Sequence, residues 1–411
     1  MRHPGAKSCA ATRRVRVTGA VPLTDATARG GTPVRLHLLH VFPTFAVGGV
    51  QLRMAEIINH FGPKYRHTIL SLDGRDDARS RLRADVDWGP AAVPGAGPFG
   101  LVSRVLGARG LVAERRPDLL LTYNWGAIEW ALTARLFRPC RHLHLESGFG
   151  SEEANAQLRR RVWFRRAALA PPSLLIVPSR RLVDLATKVW RLDPGMIRYI
   201  PNGVDVDKFA SPPRAGAIPG FQKRTGEVLV GTIAPLRQEK NIARLIRAFS
   251  AVARIEGPDT RLVIVGDGPE RGMLERLVES LGLSGKVLFA GHTETPEAAI
   301  GWFDLYALSS DTEQMPNTVL QAMAAGLPVA GLDVGDVAHV LSPSNRPYIA
   351  PAGDEAGLAD AVSRLRLDPA ARKAVGMDNR KRARAEYALE RMCRAYEAVF
   401  GGEAVSAPVT P

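Results

Sequence analysis

Residues 310–329 read Ser-Asp-Thr-Glu-Gln-Met-Pro-Asn-Thr-Val-Leu-Gln-Ala-Met-Ala-Ala-Gly-Leu-Pro-Val, a polar turn followed by a helix start and an apolar run. Pro316 favours the first turn of a helix, because the N–H that proline lacks would have no partner there. The N–H groups of the next three residues then point toward the preceding loop, where they stabilise an anion such as a diphosphate. Gly326 ends the helix, and the run LPVAGLD after it indicates a buried parallel strand.

Two side chains of this stretch suit the sugar part of such a ligand. Glu313 stands just before the helix, where a carboxylate can reach a sugar hydroxyl. Gln321 lies one to two turns into the helix and can face a ribose. We predict that both residues line the same binding site.

The rest of the chain alternates short apolar runs with helical stretches, which predicts two doubly wound parallel sheets. A segment rich in Pro and Gly, residues 211–226, separates the two series and is interpreted as an interdomain connection or a surface insertion. Ligands of open α/β sheets bind outside the carboxyl ends of the strands, so the site is expected in the cleft between the halves. The predicted strands are 34–42, 66–72, 118–123, 141–146 and 174–179 in the first half, and 228–233, 261–266, 286–291, 304–310, 327–333 and 346–351 in the second.

The charge balance favours anionic partners. Lys plus Arg outnumber Asp plus Glu by 55 to 41, which gives a net charge of +14 and a pI near 10.2. Nucleotide diphosphates, acidic lipid surfaces and nucleic acid are all compatible with such a charge. No nucleic-acid motif is present, so we predict no nucleic-acid partner. An Arg-rich, Ala-rich composition is also what a high-GC genome produces without selection for binding.

Cysteine spacing and hydropathy exclude several other classes. Cys9, Cys140 and Cys393 are far apart, which supports neither a disulfide framework nor a zinc site and fits a reducing compartment. No apolar run has the roughly eighteen residues that a membrane-spanning helix needs. Residues 1–32 lack the apolar core of a secretory signal and are expected to form a disordered leader. Residues 401–411 are expected to form a disordered tail.

Six segments together resemble one family. Besides residues 310–329, they are LHVFPTFAVGGVQLRMAEI (39–57), LLIVPSRRLVDLATKVW (174–190), IPNGVDVDKF (200–209), VLVGTIAPLRQEKNIARLIRAF (228–249) and RLVIVGDGPERGMLERL (261–277). In this order they resemble the retaining, nucleotide-sugar-dependent glycosyltransferases of family four. That resemblance implies the GT-B fold, in which two Rossmann-like domains face each other across a cleft.

The resemblance also implies a domain layout. Residues 33–205 correspond to the N-terminal, acceptor-side domain and residues 206–385 to the C-terminal domain that binds the donor. A helix at 386–400, the end of a helical stretch expected from about Asp378, crosses back to the first domain.

Lys240 matches the family lysine that neutralises the leaving diphosphate. Preorganised cations in a dry cleft are an efficient way to stabilise such growing charge. The family arginine, five places earlier, is replaced by Pro235, and Arg237 is the candidate substitute. The resemblance thus assigns the catalytic roles to Lys240, Arg237 and Glu313, the last orienting the sugar.

Glycine pairs mark two further candidate donor contacts. Gly48 and Gly49 lie between a strand and a helix, where backbone can approach a phosphate or sugar closely. Gly266 and Gly268 belong to a GDGPE run whose Pro269 argues against a nicotinamide fingerprint; a purely structural role is equally open. The predicted donor-binding residues are Gly48, Gly49, Gly266, Gly268, Gln314, Met315, Pro316, Asn317, Thr318, Val319 and Gln321.

The segment RHLHLESGFG contributes the predicted acceptor side, Glu146 and Ser147. The family commonly has a histidine at the position of Ser147, and a second glutamate at that of Gln321. An amide oxygen still accepts a ribose hydrogen bond, but without the charge that strengthens it. His142 and His144 alternate as on a strand face and lack a third ligand, so no metal site is predicted.

The run LRRRVWFRR (158–166) combines five arginines with Trp163 and Phe164. Such a helix can lie on acidic lipid, which makes an anionic membrane surface a candidate partner. The alternative is a surface helix whose aromatic residues face the core.

The resemblance implies a retaining glycosyltransferase that moves a sugar from a nucleotide-sugar donor to a hydroxyl of a glycan or lipid-linked glycan. We expect no cofactor and no required metal. We also expect a cytoplasmic location, and peripheral contact with the inner face of the plasma membrane is one option. Two alternatives stay open: a nucleotide-sugar epimerase of the same shape, and a non-catalytic nucleotide-sugar-binding protein, which the departures at Pro235, Ser147 and Gln321 suggest.

Overall fold

The computed structural model describes residues 35–94, 100–149, 153, 157–219 and 221–403. The chain divides into the units Met1–Arg35 and Leu36–Pro411, and the first unit lies almost wholly outside the described residues. The predicted leader at 1–32 and most of the predicted tail at 401–411 also fall outside them.

The first half of the second unit contains a seven-stranded parallel sheet in the order β3-β2-β1-β4-β5-β6-β7. Its strands are β1 (His37–Phe42), β2 (Arg66–Ser71), β3 (Asp87–Pro90), β4 (Leu119–Tyr123), β5 (Arg141–Leu145), β6 (Leu174–Val177) and β7 (Ile197–Tyr199). The helices between them are α1 (Gly49–Phe61), α2 (Gly100–Arg115), α3 (Ile128–Phe137), α4 (Arg159–Ala168) and α5 (Arg180–Asp184), the last continuing as a π-helical turn to Val189. We call this part the first domain.

The second half contains a six-stranded parallel sheet in the order β10-β9-β8-β11-β12-β13. Its strands are β8 (Val228–Ile233), β9 (Thr260–Val265), β10 (Val287–Gly291), β11 (Leu305–Leu308), β12 (Val329–Leu332) and β13 (Ile349–Ala350). Its helices are α6 (Val206–Phe209), α7 (Ile242–Val252), α8 (Arg271–Ser280), α9 (Pro296–Ile300), α10 (Asn317–Ala324), α11 (Val337–Val340), α12 (Glu355–Leu367) and α13 (Pro369–Glu386). We call this part the second domain.

The central strands of both sheets are buried on two faces, which explains the continuous apolar runs that predicted them. All five residues of β4 and all four of β11 are buried. Two strands escape sequence analysis: β3 is half-exposed and contains Gly89 and Pro90, and β7 has only three residues. Residues 211–219 and 221–226 belong with the second domain, since Ile218 joins its core and Trp302 Nε1 donates to the carbonyl of Arg214 at 3.0 Å.

The predicted helical stretch from Asp378 to Phe400 is two helices, α13 and α14 (Leu389–Gly401). The break comes from tertiary backbone pairing. The N–H of Val204 donates to the carbonyl of Tyr387 at 2.8 Å, and the N–H of Leu389 donates to the carbonyl of Val204 at 3.0 Å. Helix α14 then packs in the core of the first domain through Met392, Cys393, Tyr396, Val399 and Phe400.

Candidate functional site

Lys240 and Glu313 form an ion pair at the carboxyl ends of β8 and β11. Lys240 ends a 3-10 turn, Gln238–Lys240, and its Nζ lies 2.6 Å from Glu313 Oε1. The Ser310 hydroxyl donates to the same carboxylate oxygen at 2.8 Å. Their side chains are only 22% and 10% exposed, so the pair is partly shielded from water and its charges interact more strongly than on an open surface. The structure thus brings together two of the three residues predicted to be catalytic.

Arg237, the third predicted catalytic residue, lies apart from this pair. Its side chain is exposed and makes no hydrogen bond or ion pair with any residue that the structure describes. It does not line the small pocket of about 50 Å³ beside Lys240 and Glu313, whereas Pro235 does. The structure therefore places no second cation from this loop beside Lys240.

Helix α10 begins one residue later than the sequence predicts. Pro316 is the N-cap, with extended backbone, and Asn317 is the first helical residue. The N–H of Val319 is bonded to the carbonyl of Pro316 at 3.2 Å, so it is not available to a ligand as expected. Thr318 lines the pocket beside Lys240. The usable part of this helix start is therefore Asn317 and Thr318.

Gln314 and Met315 bind the first domain across the cleft. Gln314 Oε1 accepts a hydrogen bond from the Ser179 hydroxyl at 3.2 Å, and the carbonyl of Met315 accepts one from Asn202 Nδ2 at 3.0 Å. These contacts hold the loop before α10 between the domains. Both residues were predicted to contact the donor, and here their described polar contacts are to protein.

Asp336 reinforces the same contact between domains. Its carboxylate accepts hydrogen bonds from the N–H groups of Arg180 at 2.6 Å and Arg181 at 3.2 Å, at the start of α5. Burial raises the pKa of Asp336, and the two N–H donors act in the opposite direction. The carboxylate thus links the loop after β12 to the first domain.

The two glycine pairs serve different purposes. A Cβ on Gly49, the first residue of α1, would lie 3.8 Å from Asn317 Nδ2, so this turn faces the start of α10 across the cleft. Gly266 has a φ of +140°, and a Cβ there would lie 1.9 Å from the carbonyl oxygen of Ala234. A Cβ on Gly268 would lie 2.5 Å from that of Leu236. The second pair therefore lets two loops pack together and positions the segment that carries Lys240.

A larger pocket of about 310 Å³ lies between the domains. Gln321 and Asn317 line it from α10, and Arg53 and Asn59 line it from α1. Residues His292 to Glu294, after β10, close another side. Gln321 thus faces a space between the domains.

Sequence analysis missed the buried Arg53. Its Nη2 donates to the hydroxyl of Ser147 at 2.6 Å, and its Nη1 donates to Asn202 Oδ1. Asn202 Nδ2 in turn donates to Asn317 Oδ1 at 2.8 Å, which extends the network into the second domain. The only available signal was an arginine on the first turns of the helix after Gly48-Gly49, and a surface position explains that pattern equally well.

Glu146, predicted on the acceptor side, is fully buried, so an acceptor does not reach it in this conformation. Its oxygens make no hydrogen bond with a described group, and Oε2 lies 3.6 Å from Arg165 Nε and 3.9 Å from His144 Nε2. Ser147 is half-buried and reaches the cleft. His142 is buried against Thr122 and Ser173, and burial lowers its pKa to about 3.

Helix α4 does not present five arginines to the surface. Arg165 is fully buried among three aromatic rings and donates to both oxygens of Glu153, at 3.0 and 2.9 Å. Burial disfavours the charge of Glu153, yet the hydrogen bonds from Arg165 hold its pKa below the usual value. Arg166 donates to the carbonyls of Val189 and Trp190. The predicted contact surface is therefore reduced to the exposed residues Arg159, Arg160 and Trp163.

Two further observations concern the described ranges only. Within them, no three His, Cys, Asp or Glu side chains gather closely enough to hold a metal ion. No helix there has both the length and the apolar character that crossing a membrane requires.

Solved structures share this fold across most of the chain. Sucrose-phosphate synthase from Thermosynechococcus elongatus matches with a TM-score of 0.72 at 20% identity, covering 89% of this chain and 100% of that one. Anabaena HepE, solved in complex with UDP and glucose, matches with a TM-score of 0.75 at 17% identity, covering 90% and 100%. At such identities the likeness concerns the fold alone, the GT-B arrangement.

Curated relatives are also similar in sequence. The lipopolysaccharide core biosynthesis glycosyltransferase LpsD of Rhizobium meliloti is 31% identical over 221 residues, which are 53% of this chain and 61% of LpsD. The 2-deoxystreptamine N-acetyl-D-glucosaminyltransferase of Streptomyces fradiae is 27% identical over 267 residues, 60% of this chain and 62% of that enzyme. The chain spans less than two thirds of the length of these relatives.

Family models match both domains. The model of Glycosyltransferase Family 4 matches residues 47–208, and that of Glycosyl transferases group 1 matches residues 217–382. The first match covers the Gly48-Gly49 turn and Ser147, and the second covers Lys240, Glu313 and α10. The chain therefore belongs to the group 1 glycosyltransferases, with a family 4 domain preceding the group 1 domain.

Proposed function

We propose that this protein transfers a sugar from a nucleoside diphosphate sugar to a hydroxyl group of an acceptor, with retention at the anomeric carbon. The observation that carries the proposal is the shielded Lys240–Glu313 pair, whose Nζ and Oε1 are 2.6 Å apart beside the start of α10. It supplies a cation for the leaving group and a carboxylate for the sugar in one place. Family membership supports the same reaction class.

In the proposed reaction, the bond between the anomeric carbon and the diphosphate oxygen breaks while the acceptor oxygen bonds to the same face of that carbon. The acceptor proton passes to the departing phosphate oxygen, so no protein nucleophile is needed. Lys240 stabilises the charge that grows on the diphosphate, since a preorganised cation in a shielded site acts most strongly where charge develops. Glu313 orients the sugar through its hydroxyl groups.

The nucleoside is proposed to occupy the pocket of about 310 Å³ between the domains, with Gln321 at the ribose. The side-chain amide can accept a hydrogen bond from one ribose hydroxyl and donate one to another. Anabaena HepE was solved with UDP, which makes UDP the first nucleotide to test. The acceptor is proposed to be a glycan or a lipid-linked glycan, as the name of LpsD suggests for that relative.

A panel of nucleotide sugars tests the reaction. Release of nucleoside diphosphate is measured with and without a mixture of glycan acceptors. The proposal expects acceptor-dependent release and a product with retained anomeric configuration by NMR. An epimerase would convert the donor without an acceptor, and a non-catalytic binding protein would bind the donor and release nothing.

A peripheral contact with acidic lipid is a second element of the proposal. The observation favouring it is Trp163, which is 66% exposed on α4 beside the exposed Arg159 and Arg160. Each basic residue near an acidic bilayer contributes about 1 kcal/mol, and salt weakens the attraction. The test is co-sedimentation with phosphatidylserine vesicles at low salt, comparing the parent with the triple variant Arg159→Gln, Arg160→Gln, Trp163→Ser. Parent protein that stays in the supernatant would direct the search to acceptors free in solution.

A further inference from the structure

Arg53 is a buried cation with neutral partners. It lies on α1, is 5% exposed, and donates to the Ser147 hydroxyl at 2.6 Å and to the side-chain oxygen of Asn202. Its buried Nε has no hydrogen-bond partner among the described residues. No carboxylate in the described part of the chain forms an ion pair with it.

Other buried arginines of this chain have stronger partners, although the Nε atoms of Arg165 and Arg366 also lack a hydrogen-bond partner among the described residues. Arg165 pairs with both oxygens of Glu153, and Arg366 donates to the carbonyls of Val252, Ile255 and Glu256. A buried charge without a counter-charge costs several kcal/mol, even when some hydrogen bonds are made. The hydrogen-bond partners of Arg53 are only one hydroxyl and one amide oxygen, and Glu56, one turn further along α1, attracts it without forming an ion pair. Its surroundings therefore favour an anion.

The guanidinium is fixed at the junction of the two domains. Ser147 comes from the loop after β5, and Asn202 from the segment that links the domains. Asn202 also donates to Asn317 Oδ1 at 2.8 Å, at the start of α10. With two of its nitrogens bound in this way, the planar group of Arg53 is preorganised, and a planar fork of N–H donors suits carboxylate and phosphate oxygens.

This position is separate from the ion pair of Lys240. Arg53 lines the pocket of about 310 Å³, Lys240 lines the pocket of about 50 Å³, and the two sets of lining residues have no member in common. The larger pocket has charges of both signs. Its other charged or titratable residues are Glu56, Arg81, Asp205, Lys208, His292 and Glu294.

We propose that Arg53 forms an anion subsite in the cleft, which binds a phosphate or carboxylate group of a substrate and is distinct from the Lys240 site. The inference rests on the proposed function, since it concerns a substrate of the same cleft. Two sources supply this chemistry: the diphosphate of the donor, or an acidic group on the acceptor.

The test compares the parent with Arg53→Gln and Arg53→Lys, with Arg79→Gln as the matched control. Arg79 is also on the first domain, and its side chain is 61% exposed. Calorimetry measures the binding of UDP and of inorganic pyrophosphate, and then of glycerol 3-phosphate and malate to protein saturated with UDP. Melting temperatures show whether each variant is folded.

If the donor diphosphate is the ligand, Arg53→Gln weakens UDP and pyrophosphate binding at least tenfold. If an acidic acceptor is the ligand, UDP binding stays within twofold of the parent while binding of glycerol 3-phosphate or malate is lost. In either case Arg53→Lys, which keeps the charge, retains more affinity than Arg53→Gln, and Arg79→Gln matches the parent. If Arg53→Gln does not fold, Arg53→Lys is compared with the parent instead. Its affinity for the anion should be at least threefold lower, because lysine lacks the planar fork of N–H donors.

Unchanged affinity for UDP in the folded Arg53 variants, together with no parent binding of the two small acids, would overturn the inference. That result leaves the proposed function intact. Failure of the proposed function has a different signature: no acceptor-dependent release of nucleoside diphosphate from any donor.

Discussion

Lys240 Nζ and Glu313 Oε1 lie 2.6 Å apart although the residues are 73 positions apart in the chain. The pair joins the loop after β8 to the loop after β11, and the Ser310 hydroxyl, from the same loop as Glu313, donates to the carboxylate. Glu313 thereby sets the position of the ammonium group. In the proposed reaction this cation stabilises charge that grows as the donor bond breaks, so its loss should affect turnover more than binding.

Lys240→Ala is expected to reduce kcat at least about a hundredfold, which is the usual effect of removing one preorganised stabilising group. The change in donor affinity should be much smaller. Steady-state kinetics and donor titration together measure this split. Lys286→Ala, at an exposed position of the second domain, is the control for loss of one positive charge. Equal turnover in Lys240→Ala and the parent would remove Lys240 from the site.

Gln321→Glu should tighten nucleotide binding by about 1 kcal/mol, the difference between a neutral and a charge-assisted hydrogen bond to a ribose hydroxyl. Titration calorimetry with UDP measures it. Gln222→Glu, exposed on the second domain, controls for the added negative charge. Weaker binding in Gln321→Glu would mean that this position faces a group other than a ribose.

Arg165→Gln should destabilise the protein by about 3–5 kcal/mol, because it leaves the buried Glu146 without its nearest cation and Glu153 with Arg161 as its remaining counter-charge. The same change at Arg159 or Arg160, on the exposed side of the same helix, should alter the free energy of unfolding by less than about 0.5 kcal/mol. Urea denaturation of the three variants measures the contrast. Similar stability in all three would contradict the buried position of Arg165.

Stability should fall in mild acid. Burial lowers the pKa of His67 to about 4 and that of His142 to about 3, while in the unfolded chain both are near the ordinary value of 6.5. Below that value the unfolded state binds protons that the folded state excludes, so each histidine removes about 1.4 kcal/mol of stability per pH unit until the pH reaches its folded pKa. The contribution is therefore complete above pH 6.5 and is lost on acidification.

Urea denaturation at pH 7, 6 and 5 measures this slope. His142→Gln should reduce the change in the free energy of unfolding per pH unit by the contribution of one histidine. His292→Gln, at an exposed position, should leave this pH dependence unchanged. A slope that is the same in His142→Gln as in the parent would assign the acid sensitivity to other groups.

Sequence analysis predicts the two sheets well because their strands are buried on both faces and read as apolar runs, as β4 and β11 do. It misses β3, whose Gly89 and Pro90 read as a turn, and the break between α13 and α14, which depends on pairing with Val204. Such pairing is a tertiary effect that overrides local helix propensity. No local pattern near residue 387 indicates it.

For the site, the resemblance to the family identifies Lys240 and Glu313, and the structure brings them together. Arg53 could not be predicted, because its partners Ser147 and Asn202 are 94 and 149 residues away in sequence. Arg165 was assigned to a basic surface for a similar reason: a run of arginines does not reveal which of them meets a buried glutamate. For both arginines, whether the guanidinium group is buried or exposed can be predicted only when the residues that it contacts in the folded protein are known.

The packing of α14 into the first domain has a consequence for biosynthesis. The core of the first domain is completed by three residues of α14, Met392, Tyr396 and Phe400, whereas its first strand, β1, begins at His37. The whole second domain is therefore translated after β1 and before α14. In a nascent first domain emerging from the ribosome, the apolar groove that α14 fills stays uncovered until α14 has been translated. Expressed alone, residues 35–210 should aggregate, and a synthetic peptide of residues 388–403 added in trans should restore solubility by fragment complementation.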